Sequence, residues 1–537
     1  MTKDKHTTYL GLSGEALSIA QTLLIGLPSF ILFGYNQAGL GNALSLPVFG
    51  KHFPMLSKIG KEGSELSNAS TLQGVVVSTF SLGALVGAIL CNFFGDNVGR
   101  KKAIYFGALL TFIGQALECS AFHISQLCIG RTLIGMGIGA LNITVPAWQS
   151  ECSNPKNRGK HVALDGAFIS LGYTLTNWIG LAFYVTHKES EVSWRIPVAI
   201  GVFFNLPLIS SIFLPESPRW LITKGRLDEA KEIISAFQRV DVDHEKVLDE
   251  VEIIADSYHS SLTSNGSVRE LFKMGEQKIL MRFLMAMALQ CLQQMSGGNL
   301  ISVYSTILYQ ENLGMSGTLS RILSGCTLTF KFFCGFIAFF TVDRFGRRPL
   351  IAVSGTGMAC CMMFLAISTS QKHNSHANIA SVFFIFAFNF FIPIGFLGLN
   401  WLYVVEISPT RFRNQIAAFS SANNWIWNFV VTMITPIAIQ SIDYRYYIIY
   451  AVIGFLIPFM VYFLFPETAG LSLEAIDLVF IKANSPFDVV ATAKRERKFL
   501  LNGDQTQNLH AEMVEKAEVL VVDQASMDSK NERDNKP

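Results

Sequence analysis

Gln293, Gln294 and Asn299 stand inside an apolar run of roughly 279–310, with Gly297 and Gly298 between them. A bilayer core offers no water, so each side-chain amide there needs a partner in the protein or in a wet cavity. At about 100° per residue the three amides spread over neighbouring sides of a helix, and the glycine pair allows local unwinding. Such a lining suits a polyhydroxylated ligand at mid-membrane depth. Polar residues in spans also glue helices together without binding anything. Three amides and two glycines between 293 and 299 favour a binding site.

The surrounding chain has 537 residues, half of them hydrophobic, with 43 Phe and only 15% charged residues. With a mean hydropathy of +0.37, it reads as a polytopic membrane protein and not as a soluble one. The formal charge of +2 identifies no partner, and no basic cluster interleaved with aromatics points to nucleic acid. The nine Cys are scattered, without CxxC or Cys/His metal spacing, so no metal or cofactor is expected. No nucleophile–base pair or phosphate loop suggests an enzyme, since Gly137 and Gly139 lie within a span where glycines permit close packing.

Twelve apolar runs predict twelve spans, at about 17–44, 72–94, 103–122, 125–147, 160–184, 194–214, 279–310, 318–342, 349–369, 379–405, 414–440 and 446–465. They divide the chain into a polar N-terminal tail (1–16), a six-helix bundle (17–214), a polar linker (215–277), a second bundle (278–466) and a C-terminal tail (467–537). No cleavable signal peptide is evident, because the first run is long enough to stay as a span. The N-terminal tail reads as disordered, and the amphipathic run Leu227–Val251 suggests linker helices. Basic residues concentrate in the loops of Arg100 to Lys102, Lys156 to Lys160, Arg344 to Arg348 and Arg411 to Arg413. By the positive-inside rule those loops, the linker and both termini face the cytoplasm. Asn68-Ala69-Ser70 forms a glycosylation sequon on the opposite side.

The two halves repeat each other. Gly99-Arg100 matches Gly346-Arg347, 247 positions on; Glu151 and Arg158 match Glu406 and Arg413, 255 on; Pro215-Glu216 matches Pro466-Glu467, 251 on. Internal repeats of this kind mark secondary carriers. The alternating charges, with Asp96, Arg219 and Asp343 beside them, are read as ion pairs that hold one conformation and break in the other.

At these motifs the chain resembles the sugar porter family of the major facilitator superfamily, in a fungal-type wording, over roughly 25–480. The motifs are Gly95 to Lys102, Pro146 to Glu151 with Arg158-Gly159, Pro215 to Arg219, Gln293 to Asn299, Asp343 to Arg348, Glu406 to Arg413, and Pro466-Glu467-Thr468. The resemblance implies an all-α membrane protein of twelve helices in two pseudo-symmetric six-helix bundles, working by alternating access around a central sugar site. It implies sugar ligation by Gln293, Gln294 and Asn299, completed by Trp401, Trp425 and Asn428.

Four departures from the family pattern bear on mechanism. Asn36 stands where proton-coupled members carry Asp facing the residue that here is Arg131. An amide cannot titrate, which favours passive transport. Asp165-Gly166 replaces a Gln pair, Lys331 replaces an Asn, and Gly398 and Asn400 replace two prolines. A lone Lys331 about 18 Å from the span end needs a partner. Asp165 is the candidate, as a switch that makes and breaks or as a static pair. Glu118 is a possible partner for Arg131, although its place near a span end suggests simple solvation.

The leading expectation is therefore a monomeric carrier in the lipid bilayer, by default the plasma membrane, for a hexose or related polyhydroxylated solute, with facilitated diffusion favoured over proton symport. A non-transporting nutrient sensor on the same scaffold is the alternative from another class. If Lys331 is free of Asp165, it and Arg131 would instead favour an anionic sugar-like solute.

Overall fold

The computed structural model describes residues 7–152, 158–263, 268–371, 374–471 and 473–501, without the side chains at 96, 158–163, 257–263, 339, 343, 410, 474 and 499–501. Among the described residues, ten helices are long and apolar enough to cross a bilayer. The two remaining expected spans are helical as well. One begins with three basic residues, Arg100 to Lys102, and the other is broken at Gly297.

In chain order the helices of the expected spans are α1 (Leu27–Leu44), α2 (Gly63–Val98), α3 (Arg100–Cys119), α4 (Ile124–Cys152), α5 (Arg158–Thr186) and α6 (Val192–Ile200). They continue with α7 (Ile279–Met295), α8 (Gly317–Phe345), α9 (Arg347–Thr369), α10 (Ser375–Phe396), α11 (Arg413–Ile442) and α12 (Arg445–Leu464). After α6 the chain tightens into 3-10 turns at Gly201–Phe204 and Ser210–Phe213 on either side of a short α-helical turn, and Pro197 and Pro207 withdraw backbone donors along the way. α2 and α4 touch backbone to backbone. A Cβ on Gly87 or Gly139 would meet a carbonyl oxygen at 2.0 or 2.1 Å, so only glycine admits this approach.

The repeat is visible as geometry. Gly99 and Gly346 adopt nearly the same backbone, φ 93°, ψ 161° and φ 90°, ψ 173°. Behind them Arg100 pairs with Glu151 at 3.1 Å, and Arg347 with Glu406 at 2.9 Å. Glu216 and Glu467 do not form the ion pairs expected of them. Each carboxylate accepts from the first backbone N–H groups of a neighbouring spanning helix, α3 or α9: Glu216 from Arg100 and Lys101, Glu467 from Arg347 and Arg348. An anion there satisfies orphan donors and opposes the positive helix end. Burial raises the Glu216 carboxyl above its ordinary value, and the same N–H groups pull it back. Arg219 is exposed and makes no ion pair among the described residues. Arg413 donates to the Ser408 carbonyl oxygen at 3.5 Å. The side chains of Asp96, Arg158 and Asp343 lie outside the described ones. Removing the cap with Glu467→Ala is expected to cost about 0.5–2 kcal/mol, read as a lower unfolding midpoint in detergent. A midpoint equal to the parent's would refute the capping role.

The polar linker forms Pro218–Thr223, Leu227–Gln238 and Glu245–Thr263, packed through Leu221, Ile233, Ile234, Val247 and Val251. Of the N-terminal tail, residues 7–16 are docked and not loose: Gly14 N donates to the Ala236 carbonyl at 2.8 Å, and Arg239 donates to the Ser13 carbonyl at 2.9 Å. The C-terminal tail contributes Leu473–Lys482 and Val489–Leu501, the first held to α7 by the Arg282–Asp477 ion pair. Asn68 is exposed, but it lies in the second turn of α2, with Ser70 fully buried.

Candidate functional site

α7 stops at Met295, Gly297 takes φ 93° and ψ 13°, and a short helix resumes over Gly298–Val303. That left-handed conformation is open to glycine at little cost, and it turns the amides on both sides of the break toward the centre of the molecule. There they form a directed chain. The Tyr173 hydroxyl donates to Gln37 Oε1 at 2.8 Å, and Gln37 Nε2 donates to Asn299 Oδ1 at 3.2 Å. Asn299 Nδ2 then donates to Gln294 Oε1 at 2.5 Å, and Gln294 Nε2 to Asn424 Oδ1 at 2.8 Å. The chain runs from α5 and α1 to the broken α7 and on to α11, so it crosses from the first repeat to the second. Ser81 adds a second crossing by donating to Asn428 Oδ1 at 2.7 Å.

These groups face a central cavity with about 610 Å³ of non-atom space, part of it open to solvent. Gln37, Tyr173, Gln293, Gln294, Asn299, Asn424 and Asn428 supply its polar wall, and Phe33, Ile392, Phe396 and Trp401 its apolar one. Lys331 is the one charged side chain among the described lining residues. Gln293 is held from behind, donating to the Phe396 carbonyl at 2.9 Å and accepting from Asn400 Nδ2 at 2.8 Å. Asn400, which stands in place of a family proline, thus supports a site residue. Opposite the basic loops the halves meet directly: Thr306 donates to Asn42 Oδ1 at 2.8 Å, Arg321 to Ser45 Oγ at 2.7 Å, and Lys58 pairs with Glu311 at 3.2 Å.

The family model described as "Sugar (and other) transporter" matches residues 22–480. The chain belongs to this family of transporters. It is therefore a sugar porter of the major facilitator superfamily, and not an enzyme. Sugar transporter STL1 of Saccharomyces cerevisiae is 34% identical over 483 residues, covering 89% of this chain and 84% of that protein. Major facilitator superfamily transporter mfsA of Aspergillus fumigatus is 32% identical over 486 residues, covering 89% of each. Among solved structures, the proton:xylose symporter XylE bound to 6-bromo-6-deoxy-D-glucose superimposes with a TM-score of 0.73 at 22% identity, over 87% of this chain and all of the other. That likeness concerns the fold.

In this sugar porter three expected placements change. Trp425 does not line the cavity. It is fully buried, with its ring 5.5 Å from that of Phe33 and 6.2 Å from that of Phe80. Glu118 is not solvated: it pairs with Arg131 at 3.1 Å, the partnership named as possible, and both side chains are nearly inaccessible. Glu118 is enclosed because the end of α3 lies against Gly130 of α4. Asn36 instead donates to the Leu32 carbonyl at 2.8 Å and accepts from Gln115 Nε2 at 3.1 Å.

Lys331 and Asp165 form no ion pair. α5 and α8 are antiparallel, with Gly335 against Ala167 and Ser324 donating to Asn177. That register sets the Lys331 ammonium 4.9 Å from the Tyr173 ring centroid, two turns or roughly 12 Å along α5 from Asp165. Lys331 Nζ donates to Ser302 Oγ at 2.7 Å instead, and Asp165 is buried elsewhere on α5. The site residues missed in the sequence are Gln37, Tyr173, Asn424 and Ser302. Gln37 carried a readable signal, an amide beside Asn36 inside an apolar run. Tyr173 and Ser302 are ordinary in spans and carried none.

Proposed function

We propose that this transporter carries a hexose or related polyhydroxylated solute by alternating access and facilitated diffusion. The observation that supports it is the amide chain from Tyr173 through Gln37, Asn299 and Gln294 to Asn424. Gln37, Asn299, Gln294 and Asn424 are linked amide to amide, and the Tyr173 hydroxyl donates to the first of them. A solute with several hydroxyls can replace those bonds one for one, so entry leaves no buried group unpaired. Trp401 and Phe33 offer ring faces to the C–H side of such a solute. Because the chain joins the repeats, the solute would take over the contacts between them. In this reading segments 17–214 and 278–466 rock as two bundles joined by linker 215–277.

Passive transport is supported by Asn36, which makes amide bonds and has no proton to exchange, and by Arg131, whose charge is matched by Glu118. The Saccharomyces relative is named a sugar transporter, which agrees with the substrate class. Placement in the plasma membrane with both termini cytoplasmic, and action as a monomer, belong to the same proposal. The test is counterflow of labelled glucose into liposomes holding the purified protein, with no proton gradient. Exchange that neutral sugars and polyols block is the expected result. Exchange seen only under an imposed proton gradient would overturn the passive mechanism, and no exchange with any such solute would overturn the substrate class.

A further inference from the structure

Lys331 is 2% exposed and lies in the wall of the central cavity. Its neighbours are neutral. The ammonium donates to Ser302 Oγ at 2.7 Å and stands 4.9 Å from the centroid of the Tyr173 ring. No described carboxylate lies within ion-pair distance of it. Glu118 is committed to Arg131, and Asp165 is two turns away along α5. A cation taken out of water without a counter-charge is costly. One hydroxyl and one ring face leave the third N–H of the ammonium without a protein partner, at the edge of an open cavity.

The second observation is where Ser302 sits. It is three residues beyond Asn299 on the same short helix, Gly298–Val303, so the two side chains are neighbours on one face, about 5–6 Å apart at Cβ. Tyr173 ties the same two places together from the other side, since its ring faces Lys331 and its hydroxyl starts the chain to Asn299. A ligand with a negative group at Lys331 therefore has its next hydroxyls opposite Asn299 and Gln294.

We propose that the preferred solute of this site is a polyhydroxylated carboxylic acid, bound as its anion. The carboxylate sits at Lys331 and the hydroxyls replace the amide bonds of Asn299 and Gln294. This rests on the polyol reading of the same cavity and narrows it.

The experiment titrates the purified full-length protein with gluconate and with glucitol, reading Trp fluorescence and ligand-induced thermal stabilisation. The two probes differ in one carboxylate against one hydroxymethyl. Gluconate is expected to bind at least tenfold more tightly than glucitol to the parent protein. Lys331→Gln should weaken gluconate binding at least tenfold more than glucitol binding, and Lys331→Arg should retain the preference. Equal affinities in the parent overturn the proposal whether or not any variant folds, and leave the polyol reading standing. An unchanged preference in a folded Lys331→Gln protein overturns it as well. Binding of neither probe overturns it too, and glucose counterflow then decides the polyol reading separately.

Discussion

Glu118→Gln is expected to lower the stability of the protein by about 3–5 kcal/mol, because it leaves a buried guanidinium without its counter-charge. Arg131 is 1% exposed. Its Nη1 reaches Glu118 Oε1 at 3.1 Å, while Nε and Nη2 have no hydrogen-bond partner. Its other neighbour is the Phe80 ring, 5.5 Å from the guanidinium carbon to the centroid. Nothing else described nearby can absorb the charge. The double variant Glu118→Gln with Arg131→Met should recover much of the loss, since it removes the stranded cation. The readout is the unfolding midpoint in detergent of parent, single and double variants. A single variant as stable as the parent would show that Arg131 does not depend on Glu118.

The largest effect on transport is expected from Asn299→Ala. It removes the middle link of the amide chain and breaks two bonds at once, the one accepted from Gln37 and the one donated to Gln294. In the loaded site it also deletes a partner for a solute hydroxyl. Leaving a buried polar group unpaired costs about 1–3 kcal/mol, and each 1.4 kcal/mol is about tenfold in affinity. Transport efficiency should therefore fall by about 10–100-fold, measured as initial counterflow rate against solute concentration. Asn299→Asp keeps the shape but carries a charge, and should not rescue. Unchanged efficiency in Asn299→Ala would remove the amide chain from the binding surface.

The parts of this molecule that were legible in its sequence are those set by spacing along one helix or by a repeated motif. The apolar runs became helices, and the charges repeated about 250 positions apart became two matching clusters, Arg100–Glu151 and Arg347–Glu406. The stretch Gln293 to Asn299 does contain the helix break and two links of the polar chain. What was not legible depends on how one helix is rotated or shifted against another. The Lys331–Asp165 pairing failed on the register of α5 and α8, which small contacts such as Gly335 on Ala167 decide. Trp425 failed on rotation, since the same ring on another face of α11 would meet the cavity. Glu118 failed because a residue near the end of a span is wet or dry according to the neighbour that covers it. Glu216 and Glu467 were read by charge alone, whereas their partners are backbone donors that side-chain spacing does not reveal.

The two charged clusters have a mechanical consequence. Arg100 and Glu151 belong to helices of the same repeat, as do Arg347 and Glu406, and the capping carboxylates tie in the segment that follows each repeat. Breaking them would not unlatch one half from the other; it would soften each half. A carrier whose halves bend can open at both ends at once, and a pore open at both ends dissipates gradients. Stiff halves would confine motion to the seam between them, which holds the central cavity. On the proposed rocking mechanism the clusters would act as bracing that keeps a moving gate from becoming a leak.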